Sequence, residues 1–242
     1  MEEKPSKQCF QNILKILKIR IRKSFYKKMF FREKVIINFI YNNSQMTPII
    51  NHIIVIPGLG NNIKKHEWVM ESWKKYGIIP HVFDTKWKAE ENGFQPKLDS
   101  ALKLVDSLSN KNTKISIIGN SAGSSFALNI FGERKKQIHK VIVNCGRVRD
   151  GDWPWFTFDQ ATKSSPSFKE SVLRAQKLEK TFTNTYRKKI LTLRPLFDEV
   201  VPPFTVPILG AKNENMLTLG HSLSIALNLT LFKKRLINFV LK

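Results

Sequence analysis

Short apolar runs alternate with longer amphipathic stretches from about residue 50 onward. The runs are rich in Ile and Val, as is typical of strands buried on both faces of a parallel sheet. The predicted strands are His52–Pro57, Ile79–Asp84, Lys114–Gly119, His139–Cys145 and Lys189–Leu193, with Val206–Leu209 as a candidate sixth. The predicted helices are Lys64–Tyr76, Pro96–Ser109, Ala122–Phe131 and Ser222–Leu241. This alternation predicts an α/β fold, in which a mostly parallel central sheet carries helices on both faces.

The first 34 residues form a separate segment with eleven basic residues against three acidic ones. Its apolar residues recur at steps of three and four, which predicts an amphipathic helix. They are Ile13, Leu14, Leu17, Ile21, Phe25, Met29 and Phe30. Such a helix either docks its apolar stripe on the main domain, the interpretation we favour, or lies on an anionic membrane surface. We therefore divide the chain into a basic extension, 1–34, and a main domain, 35–242.

The composition is that of a globular protein, with 42% hydrophobic and 25% charged residues. It excludes a disordered or collagen-like chain. The net charge of +22 is unusual, and nucleic acid or an anionic membrane would be an obvious partner for such a surface. The basic residues are scattered along the chain, however, and no zinc-finger, basic-zipper or RNA-recognition motif is present, so we expect no nucleic-acid partner.

Three features of the chain bear on its compartment. The stretch 35–63 lacks charged residues, but polar residues and prolines interrupt it, among them Asn38, Pro48 and His52, so we expect no membrane-spanning helix there. Glu2 and Glu3 stand where a secretory signal would be basic. The two cysteines, Cys9 and Cys145, have no metal-ligand spacing and suit a reducing compartment. We therefore expect a cytoplasmic protein, peripheral to the membrane if residues 1–34 bind lipid.

The pentapeptide Gly119-Asn120-Ser121-Ala122-Gly123 is a G-x-S-x-G motif between a predicted strand and a predicted helix. That context is typical of a nucleophile elbow, where a sharp turn exposes a serine hydroxyl above the sheet. The turn strains the backbone of the serine, and the two glycines let neighbouring chain segments pass closely. The alternative is that Ser121 merely caps the following helix.

Two further residues complete a possible catalytic constellation. Asp198 follows the strand Lys189–Leu193, and His221 directly precedes the last predicted helix. An imidazole that accepts the serine proton and a buried carboxylate that orients the imidazole together activate a serine nucleophile. Asp150 and Asp152, which follow the strand His139–Cys145, are alternatives for the acid.

With these motifs, together with Pro57-Gly58-Leu59-Gly60, the chain resembles the α/β-hydrolase superfamily of serine esterases and lipases over residues 50–242. The resemblance implies a catalytic triad of Ser121, Asp198 and His221. It also implies an oxyanion hole formed by the backbone N–H groups of Leu59 and Ala122, and a cap-like insertion at about 147–187. Pro57 and Asn120 stand where histidine is frequent in the family, so no particular lipase subfamily is indicated.

The resemblance implies a serine hydrolase that cleaves a carboxylic ester of a small molecule through an acyl-enzyme intermediate, with no metal or organic cofactor. An acyltransferase or thioesterase would use the same triad, and a non-catalytic binding module on the same scaffold is a third possibility. Trp153, Trp155 and Phe156 lie in the insertion and would suit an apolar substrate pocket over the serine. The alternative is that they pack the insertion against the main domain.

Overall fold

One parallel sheet organises the part of the chain that the structure describes, residues 48–60, 62–87 and 93–242 of a computed structural model. Within these residues it has six strands in the order β2-β1-β3-β4-β5-β6, and every neighbouring pair is parallel. The strands are β1 (Ile50–Ile56), β2 (Ile78–Val82), β3 (Thr113–Asn120), β4 (Ile138–Asn144), β5 (Ile190–Phe197) and β6 (Lys212–Leu219). The predicted basic helix and membrane contact of residues 1–34 lie outside the described residues.

Helices cover both faces of the sheet. They are α1 (Ile63–Glu71), α2 (Gln95–Leu108), α3 (Gly123–Glu133), α4 (Phe158–Thr162), α5 (Pro166–Glu179), α6 (Asn184–Arg187), α7 (His221–Leu229) and α8 (Lys233–Leu241), with short 3-10 turns at Lys74–Tyr76 and Pro203–Thr205. One apolar cluster joins the sheet to α2, α3 and α5, and a second joins its other face to α1, α7 and α8. The predicted α/β fold class is therefore confirmed.

The central strands are buried as their sequence predicts. Ile53–Ile56 of β1 are fully buried, and so are the apolar residues of β4 from Val141 to Val143. Burying one such side chain stabilises the fold by about 1.5–3 kcal/mol. Because the strands are parallel, their carboxyl ends meet at one edge of the sheet. The strand order reverses between β1 and β3, which is where ligands bind in open α/β sheets.

The prediction of a sixth strand at Val206–Leu209 was wrong. Val206 and Ile208 are buried, but the side chain of Asn213 accepts from the Ile208 N–H at 2.9 Å and donates to the Ile208 carbonyl at 2.8 Å. These bonds satisfy the backbone of an irregular segment. The sixth strand is β6, whose residues from Lys212 to Asn215 are polar because it forms the edge of the sheet within the described residues.

The single helix predicted at Ser222–Leu241 is two helices, α7 and α8. The chain leaves helical geometry at Thr230, whose φ is −114° and ψ −81°. Trp73 donates its indole N–H to the carbonyl of Leu229 at 3.1 Å, and this bond satisfies the end of α7. Within residues 48–60, 62–87 and 93–242, none of the helices combines the length and apolarity that crossing a bilayer requires.

Candidate active site

Ser121 occupies the sharp turn between β3 and α3. Its φ of +52° is a left-handed conformation that is unfavourable for a residue with a side chain. Its N–H donates to the carbonyl of Asn144 at the end of β4, at 3.0 Å. The turn is therefore fixed by the neighbouring strand, and it presents the hydroxyl at the carboxyl edge of the sheet.

The two glycines of the pentapeptide lie too close to other backbone atoms for any side chain. A Cβ on Gly119 would lie 2.3 Å from the carbonyl oxygen of Gly123, and a Cβ on Gly123 would lie 2.2 Å from that of Ile56. This close approach brings the end of β1 against the start of α3.

Replacing Gly123 by alanine is expected to destabilise the fold by about 3 kcal/mol or more, because the clashing atoms belong to the backbone and cannot rotate away. Gly132→Ala in the same helix is the matched control, since the new Cβ would meet only the end of the Leu178 side chain. We expect it to change stability by less than about 1 kcal/mol. Urea unfolding of both variants measures the difference, and equal unfolding free energies would contradict this account of the turn.

Two loops pass directly beside the Ser121 side chain and backbone. A Cβ on Gly58 would lie 2.9 Å from the Ser121 Cβ, which places the loop after β1 next to the hydroxyl. A Cβ on Gly146 would lie 2.0 Å from the Ser121 carbonyl oxygen. The sequence analysis missed Gly146, since nothing in its local pattern shows which distant segment it approaches.

Ser121, His221 and Asp198 form a continuous hydrogen-bonded row. The Nε2 atom of His221 lies 2.8 Å from the Ser121 Oγ, and its Nδ1 atom lies 2.9 Å from Oδ2 of Asp198. His221 and Asp198 are buried, being only 6% and 2% exposed. The three residues follow β3, β5 and β6, and the parallel sheet brings these strand ends together.

The Asp198 carboxylate is held by backbone groups on the side away from the imidazole. Its Oδ1 accepts from the N–H groups of Val200 and Val201, at 2.9 and 2.8 Å. Such a bend after an aspartate is a common turn that its own side chain stabilises. With Oδ1 occupied, Oδ2 is left to accept from the His221 Nδ1–H, so the hydrogen bonds specify the tautomer in which Nε2 accepts a proton.

Glu199 acts on the backbone of His221 rather than on its ring. Its two carboxylate oxygens lie 3.2 and 3.0 Å from the backbone nitrogen of His221 and accept from its N–H. His221 is the first residue of α7. An acidic side chain at a helix N-terminus satisfies a free N–H and interacts favourably with the helix dipole. Gly220, with φ +85°, turns the chain into this helix.

The other described histidines lie apart from this row. His52 and His81 bond to each other on β1 and β2 at 2.9 Å, and His66 bonds to the carbonyl of Asn62 at 2.7 Å. His139 is the second residue of β4, at the amino edge of the sheet, opposite the edge where Ser121 lies. Burial, with the ammonium groups of three lysines, lowers the pKa of His139 to about 4.

Acidification is expected to destabilise the fold in part through His139. Its folded pKa of about 4 lies below the ordinary value of 6.5. Between these pH values the unfolded chain binds a proton that the folded chain does not, so the free energy of unfolding falls as the pH falls. In His139→Gln this contribution disappears. We expect urea unfolding at about pH 7 and about pH 5 to give a shallower loss of stability for the variant. The lowered pKa values of His52 and His81 leave a residual slope in both proteins, and equal slopes would contradict the prediction.

Cys145 lies close to this site as a neutral thiol. It follows β4 with a φ of +52°, and it is fully buried. Burial raises the pKa of its thiol, and the charge of Asp198 raises it further. Because the thiolate is the reactive form of cysteine, this environment makes Cys145 a packed residue and a poor nucleophile.

The two residues predicted to form the oxyanion hole are sequence neighbours of Gly58 and Ser121, which lie close together. Leu59 follows Gly58 in the turn after β1, and Ala122 follows Ser121 directly before α3. Backbone N–H groups at the start of a helix favour negative charge. The role of these two amides remains a prediction.

The predicted pocket residues contact one another beside the segment 203–205. The rings of Trp153 and Trp155 lie 5.3 Å apart, and Trp153 lies 6.4 Å from Phe204. Trp153 and Phe156 also pair through their backbones. Trp155 is 66% exposed. Helix α5 of the same insertion packs along α3, where Ser171 bonds to Ser125 at 2.9 Å.

The chain has the α/β-hydrolase fold, as the sequence resemblance predicts. A monoacylglycerol lipase from Paleococcus ferrophilus matches with a TM-score of 0.58 at 12% identity, over 80% of this chain and 95% of that chain. A hydrolase from Oleispira antarctica matches with a TM-score of 0.55 at 12% identity, over 79% and 91% of the two chains. A structure from a study of carboxylesterases of Nitrososphaera gargenis matches with a TM-score of 0.53 at 13% identity, over 78% and 89%. Neither a protein-family model nor a curated protein matches the sequence.

Proposed function

We propose that this protein is a serine hydrolase that cleaves a carboxylic ester of a small molecule through an acyl-enzyme intermediate. The observation that carries the proposal is the hydrogen-bonded row of Ser121, His221 and Asp198, with separations of 2.8 and 2.9 Å. These distances lie within the range over which a general base takes a proton from a nucleophile. Two neighbours of the same fold carry the names of a lipase and of carboxylesterases, which agrees with ester chemistry.

In the acylation step, the Ser121 Oγ attacks the carbonyl carbon of the ester while its proton moves to Nε2 of His221. The carbonyl oxygen becomes an oxyanion, which the N–H groups of Leu59 and Ala122 stabilise. Each such donor contributes about 3–4 kcal/mol to catalysis. The oxyanion then collapses, the bond to the leaving alcohol breaks, and the Nε2 proton passes to the alcohol oxygen.

In the deacylation step, a water molecule attacks the acyl carbon while His221 takes its proton. Collapse of the second oxyanion releases the carboxylic acid, and the proton returns to the Ser121 Oγ. Asp198 keeps the Nδ1 proton throughout by accepting its hydrogen bond, and it stabilises the imidazolium that forms in each step. General-base assistance of this kind contributes about 10²- to 10⁴-fold to the rate.

The proposal is tested with p-nitrophenyl esters of increasing acyl length, with and without added hydroxylamine. We expect saturable release of p-nitrophenol, and we expect hydroxylamine to divert part of the acyl product to the hydroxamate, because a common acyl-enzyme partitions between the two nucleophiles. Much faster transfer to an added alcohol or amine than to water would indicate an acyltransferase. A lack of turnover with every ester in the series would contradict the proposal and favour a binding module.

A further inference from the structure

Three asparagines form a buried chain of hydrogen bonds behind the Ser121 turn. Asn120, Asn144 and Asn228 are each at most 1% exposed. Asn144 donates its side-chain N–H to Oδ1 of Asn120 at 2.8 Å, and Asn228 donates to Oδ1 of Asn144 at 2.7 Å. The chain of amides therefore joins the ends of β3 and β4 to α7.

Both ends of this chain are attached to the proposed catalytic groups. Asn120 directly precedes Ser121, and the backbone carbonyl of Asn144 accepts the Ser121 N–H at 3.0 Å. Asn228 lies on α7, the helix that His221 begins. The seven-residue separation corresponds to about two helical turns, so the two side chains lie on the same face of the helix. The three amides thus connect the turn of the nucleophile to the helix of the base.

These three buried asparagines are not the side chains that would stabilise the fold most. Among the described residues, the Nδ2 atom of Asn120 and the Oδ1 atom of Asn228 are buried without a hydrogen-bond partner. Burying an unpaired polar group costs free energy, and apolar side chains of similar shape would avoid that cost. The two hydrogen bonds that the amides do make favour one arrangement of the segments that they join.

The thiol of Cys145 contacts two of the three asparagines, Asn144 and Asn228. Its thiol donates to Oδ1 of Asn144 at 3.6 Å, and Nδ2 of Asn228 lies 3.9 Å from its sulfur. Oδ1 of Asn144 therefore receives a second donor besides Asn228. Asn144 is the centre of the network, because it contacts both the strand that leads to Ser121 and the helix that carries His221.

We propose that Asn144 and Asn228 are positioning residues that hold the Ser121 hydroxyl and the His221 imidazole at proton-transfer distance. This inference rests on the proposed function. The hydrogen bond between the side chains of Asn228 and Asn144 joins α7 to the residue whose carbonyl holds the Ser121 turn. Its loss removes one of the contacts that fix α7 relative to Ser121. Small displacements of a nucleophile from its base lower the rate of the chemical step while substrate binding is maintained.

The test is the variant Asn228→Leu in the full-length protein, with Asn129→Leu as the matched control. Asn129 is another fully buried asparagine, on α3, which donates to the carbonyls of Ser125 and Ser171 and whose Oδ1 also has no partner. We expect Asn228→Leu to lower kcat for a p-nitrophenyl ester by about 10- to 100-fold with KM changed less than about twofold. We expect both substitutions to lower the melting temperature by a similar amount, but we expect kcat of Asn129→Leu to stay within about twofold of wild type. Asn228→Ala repeats the test with a smaller side chain if the leucine variant does not fold.

A readout without substrate separates this inference from the proposed function. The rate of covalent labelling by a fluorophosphonate should fall in Asn228→Leu by about the same factor as kcat, and should be unchanged in Asn129→Leu. If wild type is active, Ser121→Ala is inactive and Asn228→Leu keeps full kcat, the positioning role is overturned and the hydrolase proposal stands. Equal losses of kcat in the two leucine variants would likewise overturn it, because a general loss of stability would then explain both.

Discussion

Ser121→Ala should lose ester hydrolysis almost completely, with kcat lower by about 10⁴-fold or more. Alanine keeps the Cβ and the backbone N–H that bonds to Asn144, but it removes the oxygen that attacks the carbonyl carbon. The fold should remain, since only the hydrogen bond to His221 is lost, a contribution of about 1 kcal/mol. The measurement is steady-state hydrolysis of a p-nitrophenyl ester together with thermal unfolding.

A serine of α3, the helix that follows Ser121, provides the control for this result. Ser125 is buried, and its hydroxyl bonds to the carbonyl of Ala122 at 3.1 Å and to Ser171 at 2.9 Å. Ser125→Ala should keep kcat within about threefold of wild type, because this hydroxyl bonds to the carbonyl of Ala122 and not to the Ala122 N–H that we assign to the oxyanion hole. A Ser121→Ala protein that retained more than about a tenth of wild-type kcat would refute the assignment of the nucleophile.

Asp198→Asn should lower kcat by about 10⁴-fold with little change in the fold, the loss that the same substitution causes in a Ser-His-Asp protease. The asparagine oxygen can still accept from the N–H groups of Val200 and Val201, which leaves its NH2 group facing Nδ1 of His221. The imidazole must then accept at Nδ1 and carry its proton on Nε2. In that tautomer Nε2 donates to Ser121 and cannot take the serine proton.

Glu199, the residue next to Asp198, provides the control for the Asp198→Asn substitution. Glu199→Gln keeps an oxygen that can accept from the His221 N–H and changes no bond to the imidazole ring. We expect it to lower kcat by less than about tenfold, through a slightly less stable start of α7. If Glu199→Gln impaired kcat as strongly as Asp198→Asn, the proposed role of Asp198 in orienting the imidazole would be wrong.

Much of the sheet could be predicted from the sequence because its central strands are buried on both faces. In His52–Pro57 every residue that enters the core is apolar, and in Lys114–Gly119 only Ser116 interrupts the apolar run. This pattern separates the two runs from the helices. Strand β6 could not be found in this way. It lies at the edge of the sheet, where its residues from Lys212 to Asn215 need not be apolar, and the buried segment before it is irregular because Asn213 satisfies the backbone of Ile208.

The residues of the candidate site could be predicted from sequence motifs, but the contacts that hold them in place could not. Ser121 stands in a recognisable five-residue motif, and Asp198 and His221 follow it in an order that suits the ends of three parallel strands at one edge of the sheet. The contacts that hold these residues join segments far apart in the chain. Asn144 and Asn228, which are 84 residues apart, carry no local signal of their pairing. Their partners are set by the packing of α7 against the sheet.

The central claim is that the hydroxyl of Ser121 is the activated nucleophile of this protein. Its most direct test is covalent labelling with a fluorophosphonate, followed by tryptic digestion and mass spectrometry of the peptide 115–134, which contains Ser121 between Lys114 and Arg134. We expect a single adduct, with fragment ions that assign it to Ser121 rather than to Ser116, Ser124 or Ser125, and we expect His221→Gln to abolish it. An adduct on another residue, or no adduct on folded wild-type protein, would contradict the account.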